Sequence, residues 1–293
     1  MVAGASKIGN LMKNKTNLHP RDAIKLIKGH ETSDGAGVRL RRYIASPELD
    51  MLDPFLLFDI FSSDNPKDYI AGFPPHPHRG FETVTYLLAG CLKHRDSAGH
   101  EGIIKAGGVQ WMTAGRGILH SEMPEQENGL LYGCQLWVNL PATKKMMSPR
   151  YQEIDTIPEQ LREDGVSLRL IAGTVDGLIA PVQDIATKPI YYDVSVPENQ
   201  SFSEVIPADY NAFIYLIQGE LEIVGENKTT VDSETVVVLG KGEQVYAQAR
   251  TDARFLLIAG QVLKEPVARY GPFVMNTRDK IIQAFEDYKK GRF

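Results

Sequence analysis

Four side chains able to bind a metal ion occur in two short segments of this 293-residue sequence. The segment Pro75-His-Pro-His78 carries His76 and His78, and the segment Ile118-Leu-His-Ser-Glu122 carries His120 and Glu122. Residues two apart on an extended strand face the same way, so each segment would present two donors to one side. If the two strands face each other, three imidazoles and one carboxylate converge. That donor set suits iron, manganese, nickel, copper or cobalt, and it leaves open coordination positions of the kind found in catalytic sites.

Glu82 is an alternative anionic ligand. It has the same strand parity as His76 and His78, so it could be a further ligand on their face. Gly80 lies between them and could break the strand. Parity alone therefore leaves the choice between Glu82 and Glu122 open.

The composition is that of an ordinary globular protein, with 43% hydrophobic and 24% charged residues. Its length predicts two domains. The net charge of −5 disfavours direct, sequence-independent binding of nucleic acid, which needs a basic face. Two cysteines, Cys91 and Cys134, make no disulfide framework, and no apolar run is long enough for a membrane span. These features predict a reduced cytoplasmic protein, or a nuclear one if the source is eukaryotic.

Short β-type runs separated by Gly, Pro, Asn and Asp dominate the chain and predict sandwiches or barrels. A weak repeat relates Gly80–Leu92 to Asp209–Leu221 through the shared pattern Tyr-Leu-aliphatic-x-Gly-x-Leu. We therefore expect two similar all-β domains, residues 1–148 and 149–293, with residues 1–18 as a loose arm.

One helix is predicted at the C-terminus. Asn276 or Thr277 can cap it, and Asp279 suits its first turn. Its apolar face is expected to comprise the side chains of Ile281, Ile282, Phe285 and Tyr288.

All seven histidines fall within the first 120 residues, which excludes a histidine metal site from the second domain. In the repeat alignment, His76 and His78 correspond to Val205 and Pro207, and His120 and Glu122 to Val245 and Ala247. The first domain is therefore the expected metal-binding domain, and the second is expected to lack metal ligands.

At these segments the sequence resembles the pirin family of the cupin superfamily. The stretches that carry the resemblance are His76–Leu88, Gln110–Pro124, Gln135–Leu140, Glu265–Val267 and Gly271–Thr277. The resemblance implies an all-β bicupin, in which two antiparallel β-barrel (double-stranded β-helix, jelly-roll) domains face each other and a short helix follows. It also implies one iron ion per chain, bound by His76, His78, His120 and Glu122 and not by Glu82.

Two functions follow from the resemblance. One is a dioxygenase of the quercetin 2,3-dioxygenase type, with a flavonol-type aromatic substrate and O2, in which Glu122 acts as the catalytic base. Arg79 and Arg116 flank the ligand segments and could steer an anionic substrate, but a surface position is the simpler expectation for each. The alternative is a non-enzymatic regulator that binds transcription factors or metabolic enzymes and uses the metal as a redox switch. An enzyme needs room for an aromatic substrate near the metal, whereas a switch needs an exposed charged surface there.

Overall fold

The structure, a computed structural model, describes residues 18–293. The predicted arm therefore lies outside the described residues except for Leu18. The described chain forms 26 β-strands, a 3-10 turn at Pro66–Asp68 and one α-helix, α1, at Arg278–Lys289. The strands up to residue 154 are β1 Ala23–Ile27, β2 His30–Asp34, β3 Val38–Ile44, β4 Phe55–Ser63, β5 Phe73–His78, β6 Phe81–Ala89, β7 Cys91–Asp96, β8 Glu101–Lys105, β9 Val109–Thr113, β10 Ile118–Pro124, β11 Leu131–Asn139 and β12 Arg150–Ile154. The later strands are β13 Glu159–Leu161, β14 Ser167–Ala172, β15 Thr174–Val175, β16 Leu178–Ile179, β17 Ile190–Val196, β18 Ser201–Val205, β19 Tyr210–Gln218, β20 Glu220–Val224, β21 Lys228–Asp232, β22 Thr235–Leu239, β23 Gln244–Ala249, β24 Ala253–Gln261, β25 Ala268–Tyr270 and β26 Phe273–Met275.

The two halves repeat one arrangement of sheets. The first half has a seven-stranded sheet in the order β12-β9-β6-β11-β4-β3-β2 and a four-stranded sheet in the order β5-β10-β7-β8. The second half has a seven-stranded sheet in the order β1-β22-β19-β24-β17-β14-β13 and a four-stranded sheet in the order β18-β23-β20-β21. Within residues 18–293 hydrogen bonding leaves these as separate sheets, so the all-β prediction is confirmed and the predicted closed barrels are not.

Two strands pair across the middle of the chain. β1 lies at the start of the sequence but pairs antiparallel with β22, which places it at the edge of the second half's large sheet. β12 follows residue 149 but pairs antiparallel with β9, at the edge of the first half's large sheet. Each seven-stranded sheet therefore has one edge strand whose residues lie, in the sequence, in the other half of the chain.

The two seven-stranded sheets face each other across an apolar interface. Phe58, Trp111 and Leu136 from the first half are buried in one cluster with Phe213 and Leu256 from the second. The rings of Phe58 and Phe213 lie edge to face with centroids 5.2 Å apart. Burial of aromatic and aliphatic side chains on both sheets therefore holds the halves together.

The two interiors differ in character. Between the sheets of the second half, one continuous apolar core runs from Val166 to Ala259. Between the sheets of the first half, the apolar residues form smaller groups, such as the one around Leu87 and Leu92 and the one around Met112 and Ile118. The polar side chains buried among these groups include His78, Thr85, His94, His120 and Glu122.

Helix α1 begins as predicted, because the Thr277 side chain accepts a hydrogen bond from the Lys280 backbone N–H at 3.3 Å. Its buried residues are Ile281 and Ala284, and Phe285 packs beside them. Ile282 is 50% exposed, so its assignment to the apolar face was wrong. None of the helices within the described part of the chain combines the length and apolar character needed to cross a bilayer.

Candidate metal centre

The three predicted histidines come together on two paired strands. β5 and β10 run antiparallel, with His76 opposite His120 and His78 opposite Ile118. The ring centroids of His76 and His120 are 4.4 Å apart, and those of His78 and His120 are 5.0 Å apart. One nitrogen of each ring lies within 4.8 Å of the other two, so the three imidazoles could hold one metal ion.

The ring nitrogens are arranged as metal ligands require. His76 Nδ1 lies 2.8 Å from the carbonyl oxygen of Pro74, to which it donates, and this leaves the Nε2 lone pair free. That Nε2 lies 3.1 Å from Nε2 of His78. Both ring nitrogens of His120 are buried without a hydrogen-bond partner. Buried polar atoms are normally paired, so an unpaired His120 nitrogen within 4.8 Å of a nitrogen of each of the other two rings fits a bound cation.

The pKa values of His78 and His120, the two buried histidines of the cluster, also fit a metal site. Burial lowers the pKa of His78 and of His120 well below the usual range, and the neighbouring histidines add to the effect. Both imidazoles are therefore neutral at pH 7. Neutral imidazole is the form that donates a lone pair to a metal.

Glu122 shares the inner face of β10 with His120, but its carboxylate is not among the atoms of the 4.8 Å group. Thr85 Oγ1 donates to Glu122 Oε1 at 2.7 Å, and Gln135 Nε2 donates to Oε2 at 2.9 Å. Glu122 is 1% exposed. The carboxylate is thus held in a fixed orientation beside the histidines by two donors from the large sheet.

Glu82 faces the other way. In the register of β6 and β9 it lies opposite Thr113, whose hydroxyl donates to Glu82 Oε1 at 2.6 Å. Val84 and Trp111, the next pair on the same sheet face, belong to the apolar interface between the halves. The parity with His76 is lost because Gly80 adopts a left-handed conformation with φ +89°. Glu82 therefore points away from the histidines, and burial raises its pKa.

A cavity of about 610 Å³ opens onto His76 and His78. Trp137 forms part of its wall, with the ring centroid 5.1 Å from that of His78. The other lining residues are apolar or polar side chains and backbone from both halves: Asp34, Gly35, Ala36, Arg42, Leu57, Phe73, Pro74, Pro75, Gln135, Arg269, Gly271 and Pro272. Its volume lies within the range of ligand pockets, roughly 300–1,000 Å³.

Arg79 and Arg116 do not serve this cavity. Arg79 is 3% exposed, and its guanidinium forms an ion pair with Asp287 of α1 at 2.9 Å and stacks on Phe293 at 4.3 Å. Arg116 is exposed and lies outside the lining. The surface position expected for both is confirmed for Arg116 and wrong for Arg79, which fastens the C-terminal helix to the end of the ligand strand.

The remaining histidines are divided between core and surface. His94 is 2% exposed and lies 2.6 Å from the Glu153 carboxylate. The side chain of His100 is 58% exposed, and His19 and His30 are also exposed. Residues 94–100 therefore contribute one histidine to the interior and one to the surface.

In the second half, the strands that correspond to β5 and β10 carry no histidine. β18 and β23 correspond to β5 and β10, and Val245 and Ala247 lie in the apolar core as the repeat predicts. The register places Glu204 opposite Val245, the position that His76 holds opposite His120. The repeat alignment at Val205 is therefore off by one residue. Glu204 lies 3.6 Å from Arg162.

Sequence reasoning missed the residues that support the site from the large sheet. Thr85 and Gln135 hold Glu122, and Trp137 shapes the cavity. Gln135 and Trp137 lie two residues apart on β11, a largely buried strand, and so share one face. A polar Gln within this apolar strand was the one feature of the sequence that could have indicated a supporting residue. Their partners, however, lie on strands distant in sequence.

Known proteins resemble the chain over both halves. Residues 37–138 match the family described as Pirin, and residues 191–293 match the Pirin C-terminal cupin domain. The chain is 49% identical to a pirin-like protein of Caulobacter vibrioides over 93% of its length and 99% of the relative's. It is 43% identical to pirin of Homo sapiens, with 91% of each chain covered. A crystal structure described as quercetin 2,3-dioxygenase from Acinetobacter baumannii aligns with a TM-score of 0.85 and 34% identity over 93% of this chain and 98% of that one. With matches of this extent in both cupin domains, the chain belongs to the pirin family.

Proposed function

We propose that the protein is an iron-dependent dioxygenase that acts on flavonol-type aromatic substrates, as quercetin 2,3-dioxygenase does. The observation that carries the proposal is the cluster of three histidines, two of which, His76 and His78, line a cavity of about 610 Å³. The relative from Acinetobacter baumannii that is described as quercetin 2,3-dioxygenase supports it. The cavity meets the requirement for an enzyme, because it has room for an aromatic ring beside the histidines.

In this proposal His76, His78 and His120 bind one metal ion through ring nitrogens, and Glu122 is the fourth ligand. The unpaired nitrogens of His120 and the neutral state of His78 and His120 support this assignment. A metal bound there supplies a positive charge that favours the ionised form of a substrate hydroxyl, together with the redox chemistry that a reaction with O2 requires.

Glu122 is the proposed base that accepts the proton of that hydroxyl. A carboxylate oxygen has two lone pairs, and the hydrogen bonds from Thr85 and Gln135 use one on each oxygen. A lone pair on each oxygen thus remains for the metal and for the proton. Because both donors belong to the rigid large sheet, the carboxylate needs no reorganisation when the charge moves.

The walls of the cavity position the substrate and limit access of water. Trp137 presents its ring beside His78, and Leu57 and Phe73 add apolar surface. A planar aromatic ligand can contact the exposed edge of Trp137 while its reacting end faces the histidines. The unpaired state of Cys91 and Cys134 agrees with a reducing compartment such as the cytoplasm.

The proposal is tested by anaerobic purification, elemental analysis and an O2-consumption assay with quercetin. We expect one transition-metal ion per chain and O2 uptake that matches loss of quercetin. His120→Ala should lose both the metal and the uptake while its β-sheet circular dichroism remains. Folded, metal-loaded protein that consumes no O2 with any flavonol would contradict the enzyme and favour the regulatory function. Two tightly bound ions per chain would contradict the single site.

A further inference from the structure

The cavity beside the histidines is built by both halves of the chain. His76, His78 and Trp137 come from the first half. Arg269 on β25, with Gly271 and Pro272 after it, comes from the segment that follows the second half's last long strand. The chemistry of the cavity is therefore set partly by residues far in sequence from the metal-binding segments.

Two arginines line this cavity, and the protein neutralises one of them. Arg42 donates to both oxygens of Asp59, through Nε at 2.8 Å and Nη2 at 2.6 Å. Its Nη2 also lies 2.9 Å from Asp34 Oδ2. A guanidinium held by two carboxylates has its charge balanced, so Arg42 offers little attraction to a further anion.

Arg269 differs from Arg42 in its partners. Its Nη1 donates to the backbone carbonyl of Leu56 at 2.9 Å, and its guanidinium lies over the ring of Trp137 at 5.0 Å from the centroid. Within residues 18–293 no carboxylate lies at ion-pair distance from it. Arg269 is exposed to the cavity, and most of its five N–H donors remain available. Two contacts thus fix the position of a cation that forms no direct ion pair within residues 18–293, while Asp50, Asp59 and Asp34 act on it only from a longer distance.

Trp137 connects this cation to the metal-binding residues. The guanidinium of Arg269 lies 5.0 Å from the Trp137 ring, and the ring of His78 lies 5.1 Å from it. An aromatic ligand lying along the Trp137 side of the cavity would have one end near the histidines and the other near Arg269. A planar anionic group at that second end matches the geometry of a guanidinium.

We propose that Arg269 is the specificity-determining residue of this cavity and selects planar aromatic substrates that carry an anionic oxygen group at the end remote from the histidines. This inference rests on the proposed function, because it defines the substrate class of the same site. It replaces the role that the sequence suggested for Arg79 and Arg116. The positive charge attracts the anion, and contact with the exposed edge of Trp137 holds the ring.

Calorimetric titration of the metal-loaded protein with 2-naphthoate and with its neutral analogue 2-naphthamide tests the proposal. Arg269→Met should weaken 2-naphthoate binding by about tenfold, a factor typical of losing a partly exposed charge partner. It should leave 2-naphthamide binding within about twofold. Arg269→Lys should restore most of the affinity for 2-naphthoate. Arg41→Met is the matched control, because Arg41 pairs with Glu31 and Glu234 away from the cavity.

Several results would overturn the inference. These are failure of 2-naphthoate to bind the wild type, an equal effect of Arg269→Met on both probes, or a similar effect of Arg41→Met. The same titration after chelation of the metal separates binding to Arg269, which should persist, from binding of the carboxylate to the metal, which should vanish. If Arg269→Met does not fold, Arg269→Gln provides the same removal of charge with a polar side chain.

These measurements distinguish failure of the anion site at Arg269 from failure of the proposed dioxygenase function. Charge-selective binding that depends on Arg269, without turnover of any flavonol, would refute the dioxygenase and leave the anion site standing. Turnover of quercetin with a KM unchanged in Arg269→Met, together with no charge selectivity, would refute the anion site alone. A raised KM with kcat little changed would identify an ionised hydroxyl of the flavonol as the group that Arg269 binds.

Discussion

Glu122→Gln changes the charge beside the three histidines while keeping the shape of the side chain. The new amide oxygen can still accept from Thr85, but the amide NH2 then faces the NH2 of Gln135, which now donates to Glu122 at 2.9 Å. Loss of that charge-assisted hydrogen bond should lower the free energy of unfolding by about 1.5–3 kcal/mol, and a flip of the Gln135 amide can recover part of this. The lost ligand charge should weaken metal binding by more than about 100-fold, since loss of a supporting partner alone costs about 10–100-fold.

Glu82→Gln is the matched control, because the same chemical change occurs on the opposite face of the large sheet. Glu82 accepts from Thr113 at 2.6 Å and contacts none of the histidines. Its metal affinity should remain within about twofold of the wild type. Elemental analysis and competition with a chelator measure the affinity of both variants, and thermal unfolding shows that both are folded. Loss of metal from Glu82→Gln with retention in Glu122→Gln would refute the assignment of Glu122.

Further outcomes are expected at other buried groups. His120→Leu should abolish metal binding yet raise the melting temperature of the metal-free protein by roughly 2–4 °C, because about 1 kcal/mol of unpaired polar burial is removed; a lower melting temperature would contradict this. Burial raises the pKa of the Cys134 thiol to about 12, so thiol titration should count at most one reactive cysteine in the native protein and two after denaturation. Burial raises the pKa of Glu82 above its usual value of 4.5, so the folded chain holds that proton more tightly than the unfolded chain. The stability from this group is therefore present below pH 4.5 and is lost as pH rises through the raised pKa, and Glu82→Gln should flatten that decline in urea unfolding.

The shared face of His76 and His78 could be predicted because strand parity is a local rule. The start of the C-terminal helix followed from Thr277 in the same way. Local conformational preferences determine these features, so a single sequence is sufficient. The pairing of β5 with β10 was only a condition at the level of the sequence, since the two segments lie far apart in the chain, and the resemblance to the pirin family supplied it.

The parts that could not be predicted depend on distant contacts. The orientation of Glu82 follows from the left-handed conformation of Gly80, which parity ignores. Arg269 reaches the cavity through the packing of the C-terminal segment against the first half. The burial of His94 depends on Glu153, which a strand after the predicted domain boundary supplies. Each of these is fixed by tertiary packing between segments far apart in the chain.

The pairing of β1 with β22 has a consequence for folding during translation. β1 leaves the exit tunnel long before its partner Thr235–Leu239, which is synthesised roughly two hundred residues later. Until then the apolar side chain of Ile27, fully buried in the finished protein, has no sheet to join. The nascent chain must keep this segment from misplaced pairing throughout most of translation, since unpaired apolar strands aggregate. A ribosome stalled before residue 235 would therefore carry a chain that cannot complete either the second sheet or the apolar interface between the halves.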